Sequence, residues 1–190
     1  AGTLAGEHLL AIATVRELEE IRVCDRTAEK AAAFANHWSA RTGLRIIAAQ
    51  PADTAACDIV TAVTSAPEPV IAGHWLQPGA HLNLVGAHSP EHREADSDAA
   101  RRARIFVDSM DSALSEAGDI LIPLAQGEID EGSIIGEIGA VLNGDVAGRQ
   151  NDSQVTLYKS LGLAAQDLFA AHHAYRQALE SGQGIQVDFS

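Results

Sequence analysis

Gly2 and Ala5 stand three residues apart where an apolar helical run begins, in the stretch Ala1-Gly2-Thr3-Leu4-Ala5. Residues this small at a strand-to-helix turn let a backbone approach a diphosphate. The start of the helix adds free N–H groups and a partial positive charge. The spacing fits the second and third small positions of a Gly-x-Gly-x-x-Gly/Ala turn, so the first glycine and its strand are expected just before residue 1. Asp25 follows Gly2 by 23 residues at the end of a β-type run. A carboxylate there accepts two hydrogen bonds from a ribose diol and repels a 2′-phosphate, which points to NAD. Arg26 beside it offers a cation to that phosphate or a plane to adenine, so NADP stays open.

His88 comes two residues after the strand-end Gly86. An imidazole titrating near pH ~6.5 can pass a proton to an amine or imine at neutral pH. Thr61-Ala62-Val63-Thr64-Ser65 and Val85-Gly86-Ala87-His88 both lie at the C-terminal ends of predicted strands. Open α/β sheets hold their ligands along that rim. Of the eight histidines, His37, His74, His92, His172 and His173 are assigned to the surface and His81 to a strand. No His/Cys/Asp/Glu set has convincing metal-ligand spacing, and no metal is expected.

These groups need a scaffold of alternating strands and helices. Leu4, His8, Ile12 and Val15 recur at helical spacing, which predicts a helix over 3–18. Strands are predicted at 21–25, 44–48, 58–63, 81–86 and 104–108. Thr27 reads as the N-cap of a helix carrying Ala31, Phe34, Ala35 and Trp38, which Gly43 ends. Further helices are expected around Asp53–Ala56 and over 94–103. Residues 119–150 are mixed and glycine-rich, and one or two helices are predicted from Gln154 to about Ser181. The tail 182–190 is expected to be loose or to pair with a missing segment. Strand-helix alternation at this spacing gives a mostly parallel sheet, joined by right-handed crossovers and covered on both faces.

Composition agrees. The chain has 190 residues, 46% hydrophobic and only 4% aromatic, a balance suited to Val/Ile/Leu strands under alanine-rich helices. A net charge of −13 argues against nucleic acid or an anionic membrane as partner. No run of 18 apolar residues or signal peptide is visible. Cys24 and Cys57 are expected as two buried thiols in a cytoplasmic protein rather than as a disulfide.

Taken together, the chain resembles the ornithine cyclodeaminase/mu-crystallin family of NAD(P)-binding proteins along nearly all its length. The resemblance rests on Ala1-Gly2-Thr3-Leu4-Ala5, on Asp25-Arg26-Thr27, on Pro78-Gly79-Ala80-His81-Leu82-Asn83 with Val85-Gly86-Ala87, and on Arg93-Glu94. It continues through Val107-Asp108-Ser109, Glu116-Ala117-Gly118-Asp119 and Thr156-Leu157-Tyr158-Lys159-Ser160-Leu161-Gly162.

The resemblance implies a Rossmann-like NAD(P)-binding domain over 1–162. Residues 163–190 would then be a C-terminal helix and tail packing toward an N-terminal substrate and dimerisation domain absent from this sequence. A homodimer would form through that domain, and the fragment alone would be inactive. Ala1, Thr3 and Leu4 would line the pyrophosphate, with Gly2 at its turn. Asp25, Arg26 and Thr27 would meet the adenosine end, Thr64 and Ser65 the ribose, and Val85, Gly86 and Ser160 the nicotinamide. Lys159 reads as a surface contact. The shared chemistry is hydride exchange at the α-carbon of an amino or imino acid. Cyclodeaminases place an aspartate after the Val-Gly-Gly strand end, where this chain has His88 after Ala87. That departure favours reduction of a cyclic imine such as Δ1-pyrroline-2-carboxylate. Amino-acid dehydrogenation, ornithine cyclodeamination, and nucleotide-dependent ligand binding without turnover are the alternatives.

Overall fold

Short β-branched runs alternate with alanine-rich segments, and the chain folds into α/β layers. A computed structural model describes residues 1–185 and 187. The strands are β1 (Ile21–Val23), β2 (Ile46–Ala48), β3 (Ile59–Ala62), β4 (His81–Leu84), β5 (Arg104–Val107), β6 (Ile134–Glu137) and β7 (Thr156–Lys159). The helices are α1 (Thr3–Val15), α2 (Ala28–Thr42), α3 (Pro51–Ala55), α4 (Ser97–Arg102), α5 (Met110–Glu116), α6 (Gly118–Ala125), α7 (Ile138–Asn143) and α8 (Ala164–Ser181). Among the described residues every strand pairing is parallel, as the crossover spacing predicts.

The strands form two sheets, β1-β2 and β3-β4-β7-β5-β6. Among the described residues β1 pairs only with β2, and β3 only with β4. Their other edges border a cavity of about 1160 Å³, lined by Arg22 and Val23 on one side and Ile59 and Thr61 on the other. No described strand bridges this gap.

Leu82, Leu84, Ile105, Val107, Leu157 and Ile120 are almost wholly removed from water and make the main core with Ala99 and Ala100 of α4 and Ala113 of α5. Each such aliphatic side chain contributes about 1.5–3 kcal/mol by burial. A second cluster of Leu9, Val23, Ala35, Trp38 and Ile46 holds α1 and α2 to the small sheet. Gly6 belongs to this contact: a β-carbon there would lie 2.1 Å from the Trp38 ring. Only glycine lets the two helices approach so closely.

The largest departure from expectation is β7. Residues 156–159, predicted as helix, are the central strand of the large sheet. β7 registers His81 to Thr156 and Leu84 to Lys159 on one side, and Arg104 to Thr156 and Val107 to Lys159 on the other. Ladder bonds to two neighbours outweigh any local helical preference. The helix begins only at Ala164. The predicted helix over 3–18 ends at Val15, because Arg16 turns extended (φ −141°). The predicted helix over 94–103 starts at Ser97, with the Asp96 carboxylate accepting from Ala99 N at 2.9 Å as cap. Cys24 and Cys57 are both free, but they are partly exposed rather than buried. Thr27 occupies the N-cap of α2 without a side-chain capping bond. The tail expected over 182–190 lies partly outside the described residues.

Candidate active site

All the sequence-predicted groups except Lys159 gather at the C-terminal rims of the two sheets. Gly2 is the N-cap of α1, in extended backbone, and no side chain caps this helix start. Its first-turn N–H groups therefore point outward without a side-chain acceptor, the arrangement that receives an anion. Gly2, Thr3 and Leu4 are exposed. A β-carbon on Gly2 would lie 4.0 Å from the Val63 carbonyl oxygen, which places the helix start beside the end of β3.

Ala1 and Asp25 meet at the end of β1. The backbone nitrogen of Ala1 lies 3.4 Å from Asp25 Oδ2 and donates to the Cys24 carbonyl at 3.3 Å. Asp25 Oδ1 accepts from Thr27 N at 3.0 Å. That backbone bond holds the Asp25 carboxyl below the usual carboxylate range, with burial opposing. The group is thus an ionised acceptor at neutral pH. Arg26 is exposed alongside it.

At the ends of β3 and β4 one carboxylate organises two loops. Glu94, fully buried, accepts from Thr64 N at 2.6 Å through Oε1. Its Oε2 accepts from Val85 N at 3.0 Å and Gly86 N at 2.7 Å. Three backbone N–H groups can hold a buried charge that would otherwise be costly. Gly86 sits so close to Thr64 that a β-carbon would fall 1.9 Å from the Thr64 carbonyl oxygen. Ser65 is exposed on the same rim.

The chain then buries Ala87 and exposes His88. His88 Nδ1 lies 3.1 Å from the Gly86 carbonyl oxygen. A carbonyl can only accept, so Nδ1 carries the proton and Nε2 is left for a ligand. Ser160, at the end of β7, donates through Oγ to Asp108 Oδ2 at 3.2 Å. The same Asp108 oxygen accepts from Leu161 N at 2.7 Å and Gly162 N at 2.6 Å. Asp108 thereby fixes the turn after β7.

Lys159 is a correction. Read as a surface contact, it is wholly buried, its Nζ 3.0 Å from Asp119 Oδ2. In a strand, Lys159 points to the face opposite Ser160, and here that face is the core. Glu94, Asp108 and Asp119 stood out in the sequence only within motif stretches. An acid bordering an apolar run was the available signal for Asp108 and Asp119, whereas Glu94, between Arg93 and Asp96 in a polar stretch, offered none.

The rim fits a dinucleotide: an uncapped helix start, an ionised acceptor 23 residues beyond Gly2, and two strand ends held open by glycine and a buried clamp. Among the described residues no group of three or more His, Cys, Asp or Glu is placed to hold a metal ion.

Comparison with known proteins carries the same signature. The chain is 36% identical over 182 residues to the Δ1-pyrroline-2-carboxylate reductase of Bacillus cereus, covering 94% of this chain and 56% of the relative. It is 35% identical over 175 residues to the ketimine reductase mu-crystallin of Mus musculus, covering 92% of this chain and 52% of that protein. It superimposes with a TM-score of 0.93 on Thermococcus litoralis Δ1-pyrroline-2-carboxylate reductase in complex with NADH and L-proline, at 39% identity over 98% of this chain and 58% of that one. The chain therefore spans a little over half the length of these relatives. The model of the ornithine cyclodeaminase/mu-crystallin family matches residues 1–182, and the chain belongs to that family.

Proposed function

We propose that this chain is the dinucleotide-binding part of an NAD(P)-dependent oxidoreductase that reduces a cyclic imino acid of the Δ1-pyrroline-2-carboxylate type. The observation that carries this reading is the convergence of the α1 N-terminus, Asp25 and the Glu94-clamped loops on one rim. When bound, a reduced nicotinamide supplies hydride to the α-carbon of the imine, and the nitrogen must gain a proton. The N–H groups around Gly2, Thr3 and Leu4 hold the diphosphate. Asp25 accepts the adenine-ribose hydroxyls, which favours NAD, while Arg26 and Thr27 flank them and leave NADP admissible. Thr64 and Ser65 border the second ribose, and Val85, Gly86 and Ser160 border the nicotinamide.

His88 is the proton donor in this reading. Its Nδ1–H is engaged by Gly86, so Nε2 faces the substrate and, when protonated, donates to the imine nitrogen or the carboxylate. The bound NADH and L-proline of the Thermococcus litoralis protein support this pairing of cofactor and product. In the domain reading, residues 1–162 bind the cofactor and 163–190 pack toward a substrate and dimerisation domain. The support is α8, which has no buried residue and exposes Leu168, Phe169, Tyr175 and Leu179. Free thiols at Cys24 and Cys57 suit a cytoplasmic setting.

The test is calorimetry with NADH and NADPH on the full-length protein, followed by oxidation of either when a cyclic imine is added. Imine-dependent oxidation of the bound cofactor is expected. Ammonia release from ornithine without net NADH would instead identify a cyclodeaminase. Binding of ligand without turnover would mean a non-catalytic role, and no dinucleotide uptake would overturn the reading.

A further inference from the structure

Behind the rim, on the core side of the large sheet, three ionisable side chains are shut away from water together: Lys159, Glu94 and Asp119. Asp119 Oδ1 accepts from Glu94 N at 2.8 Å and Ala95 N at 3.0 Å, and its Oδ2 lies 3.0 Å from Lys159 Nζ. Lys159 Nζ also donates to the Ala87 carbonyl oxygen. Glu94 in turn holds Thr64, Val85 and Gly86 by their N–H groups. Two carboxylates and one ammonium leave a net single negative charge, offset by five backbone N–H donors.

A buried ammonium is expensive, and an apolar side chain on β7 would satisfy the core at less cost. What the ammonium does here is specific. It draws the Ala87 carbonyl inward. The peptide is planar, so fixing that carbonyl also fixes the direction of the His88 N–H and the exit of the His88 side chain. The ring is held independently by the Gly86 carbonyl, whose own residue hangs from Glu94. Backbone and ring of His88 are thus anchored to the same buried network.

We infer that Lys159 is a positioning residue for imine reduction: held by Asp119, it sets the Ala87–His88 peptide and thereby aims His88 at the substrate. This inference rests on the reading of His88 as proton donor. Lys159 touches neither cofactor nor substrate; it acts through the peptide. A misplacement of about 1 Å at such a group costs up to about a hundredfold in rate.

The experiment separates aim from charge balance. Lys159→Met alone strands the Asp119 carboxylate, whereas Lys159→Met with Asp119→Asn removes the pair together. Both are made in the full-length protein and compared with the unaltered enzyme by NADH calorimetry, imine turnover, and the NMR resonance of the His88 ring between about pH 5 and 8. The double variant is expected to bind NADH within about threefold of the unaltered enzyme, to turn over about 10- to 100-fold more slowly at unchanged KM, and to show a displaced His88 resonance. Unaltered turnover together with an unaltered His88 resonance would overturn the proposal and leave Lys159 a charge balancer. Should the double variant not fold, Lys159→Arg keeps the charge but spreads its donors over a plane. It is read the same way, with a displaced resonance and slower turnover expected. If the unaltered enzyme reduces no imine, the functional reading fails by itself. The His88 resonance then still decides whether Lys159 sets that loop.

Discussion

Gly86 and Thr64 meet so closely that a single added methyl on Gly86 would lie 1.9 Å from the Thr64 carbonyl oxygen and 2.3 Å from its nitrogen. The two loops of the rim are therefore one unit. Gly86→Ala forces backbone apart rather than a flexible side chain, so it is expected to destabilise the chain by about 3 kcal/mol or more. Urea denaturation measures this. A loss of stability under about a fifth of that size, read from the midpoint and slope together, would show that the loops separate freely.

Glu94 supplies the polar half of the same junction. In Glu94→Gln the amide nitrogen must face either Thr64 N or the pair Val85 N and Gly86 N, donor against donor. At least one buried N–H is orphaned, and a loss of roughly 3 kcal/mol is expected. NADH affinity should fall with it, because both loops border the proposed cofactor. Retention of full NADH affinity in a folded Glu94→Gln variant would contradict the clamp.

Asp25 is expected to govern cofactor choice. Asp25→Ala removes the ribose acceptor and its repulsion of a 2′-phosphate next to Arg26. NADH affinity should drop about 10-fold, while NADPH affinity holds or rises. Parallel calorimetric titrations give both numbers. The Thr27 N–H keeps the Asp25 carboxyl below its ordinary range, so NADH binding should lose this contribution only as pH falls through that depressed value.

His88→Ala is expected to lower imine turnover about 100-fold and dinucleotide affinity less than about threefold. Steady-state rates beside NADH calorimetry separate the two effects. Equal losses of both would make His88 a structural residue.

His81 carries a pH dependence of folding. Its ring lies in β4 between Thr156 Oγ1 at 2.8 Å and Asn83 Oδ1 at 3.1 Å. Burial pushes its pKa below the ordinary 6.5, the Asn83 bond opposes, and the Arg149 and Arg16 charges add to the lowering. Above about pH 6.5 the imidazole is neutral in both folded and unfolded chains and contributes no pH dependence. Below it the unfolded chain takes up a proton that the folded one resists. Stability should fall as pH drops from 6.5 to the lowered value. Urea midpoints at about pH 7.5 and 5.5, in the unaltered chain and in His81→Gln, check this. The variant should show a smaller difference between the two.

Much of the rim was legible from residue order. Gly2, Asp25, Thr64, Gly86 and His88 sit at turns whose chemistry is local: a small residue before a helix, an acid after a strand, a glycine where two backbones crowd. The β-branched runs at 21–23, 46–48 and 59–62, the apolar run at 104–107 and the polar/apolar alternation at 81–84 announced their strands for the same reason. Residues 156–159 did not, since Lys159 breaks the apolar pattern and the alanine-rich segment after it reads as helix. The buried thiols expected at Cys24 and Cys57 failed similarly, because strand-edge positions look apolar in sequence whether or not a neighbour covers them.

Local preference and spacing thus determined which segments are strands and helices, the parallel α/β class, and the turn residues of the rim. Only the tertiary structure decided that β7 stands at the centre of the large sheet, that Glu94 reaches three N–H groups on two loops, and that Lys159 is buried against Asp119. Each of these links residues at least eight positions apart, and most link residues 25 or more apart. Such pairings form only when the whole sheet closes, so no window of sequence contains the partner that makes them favourable.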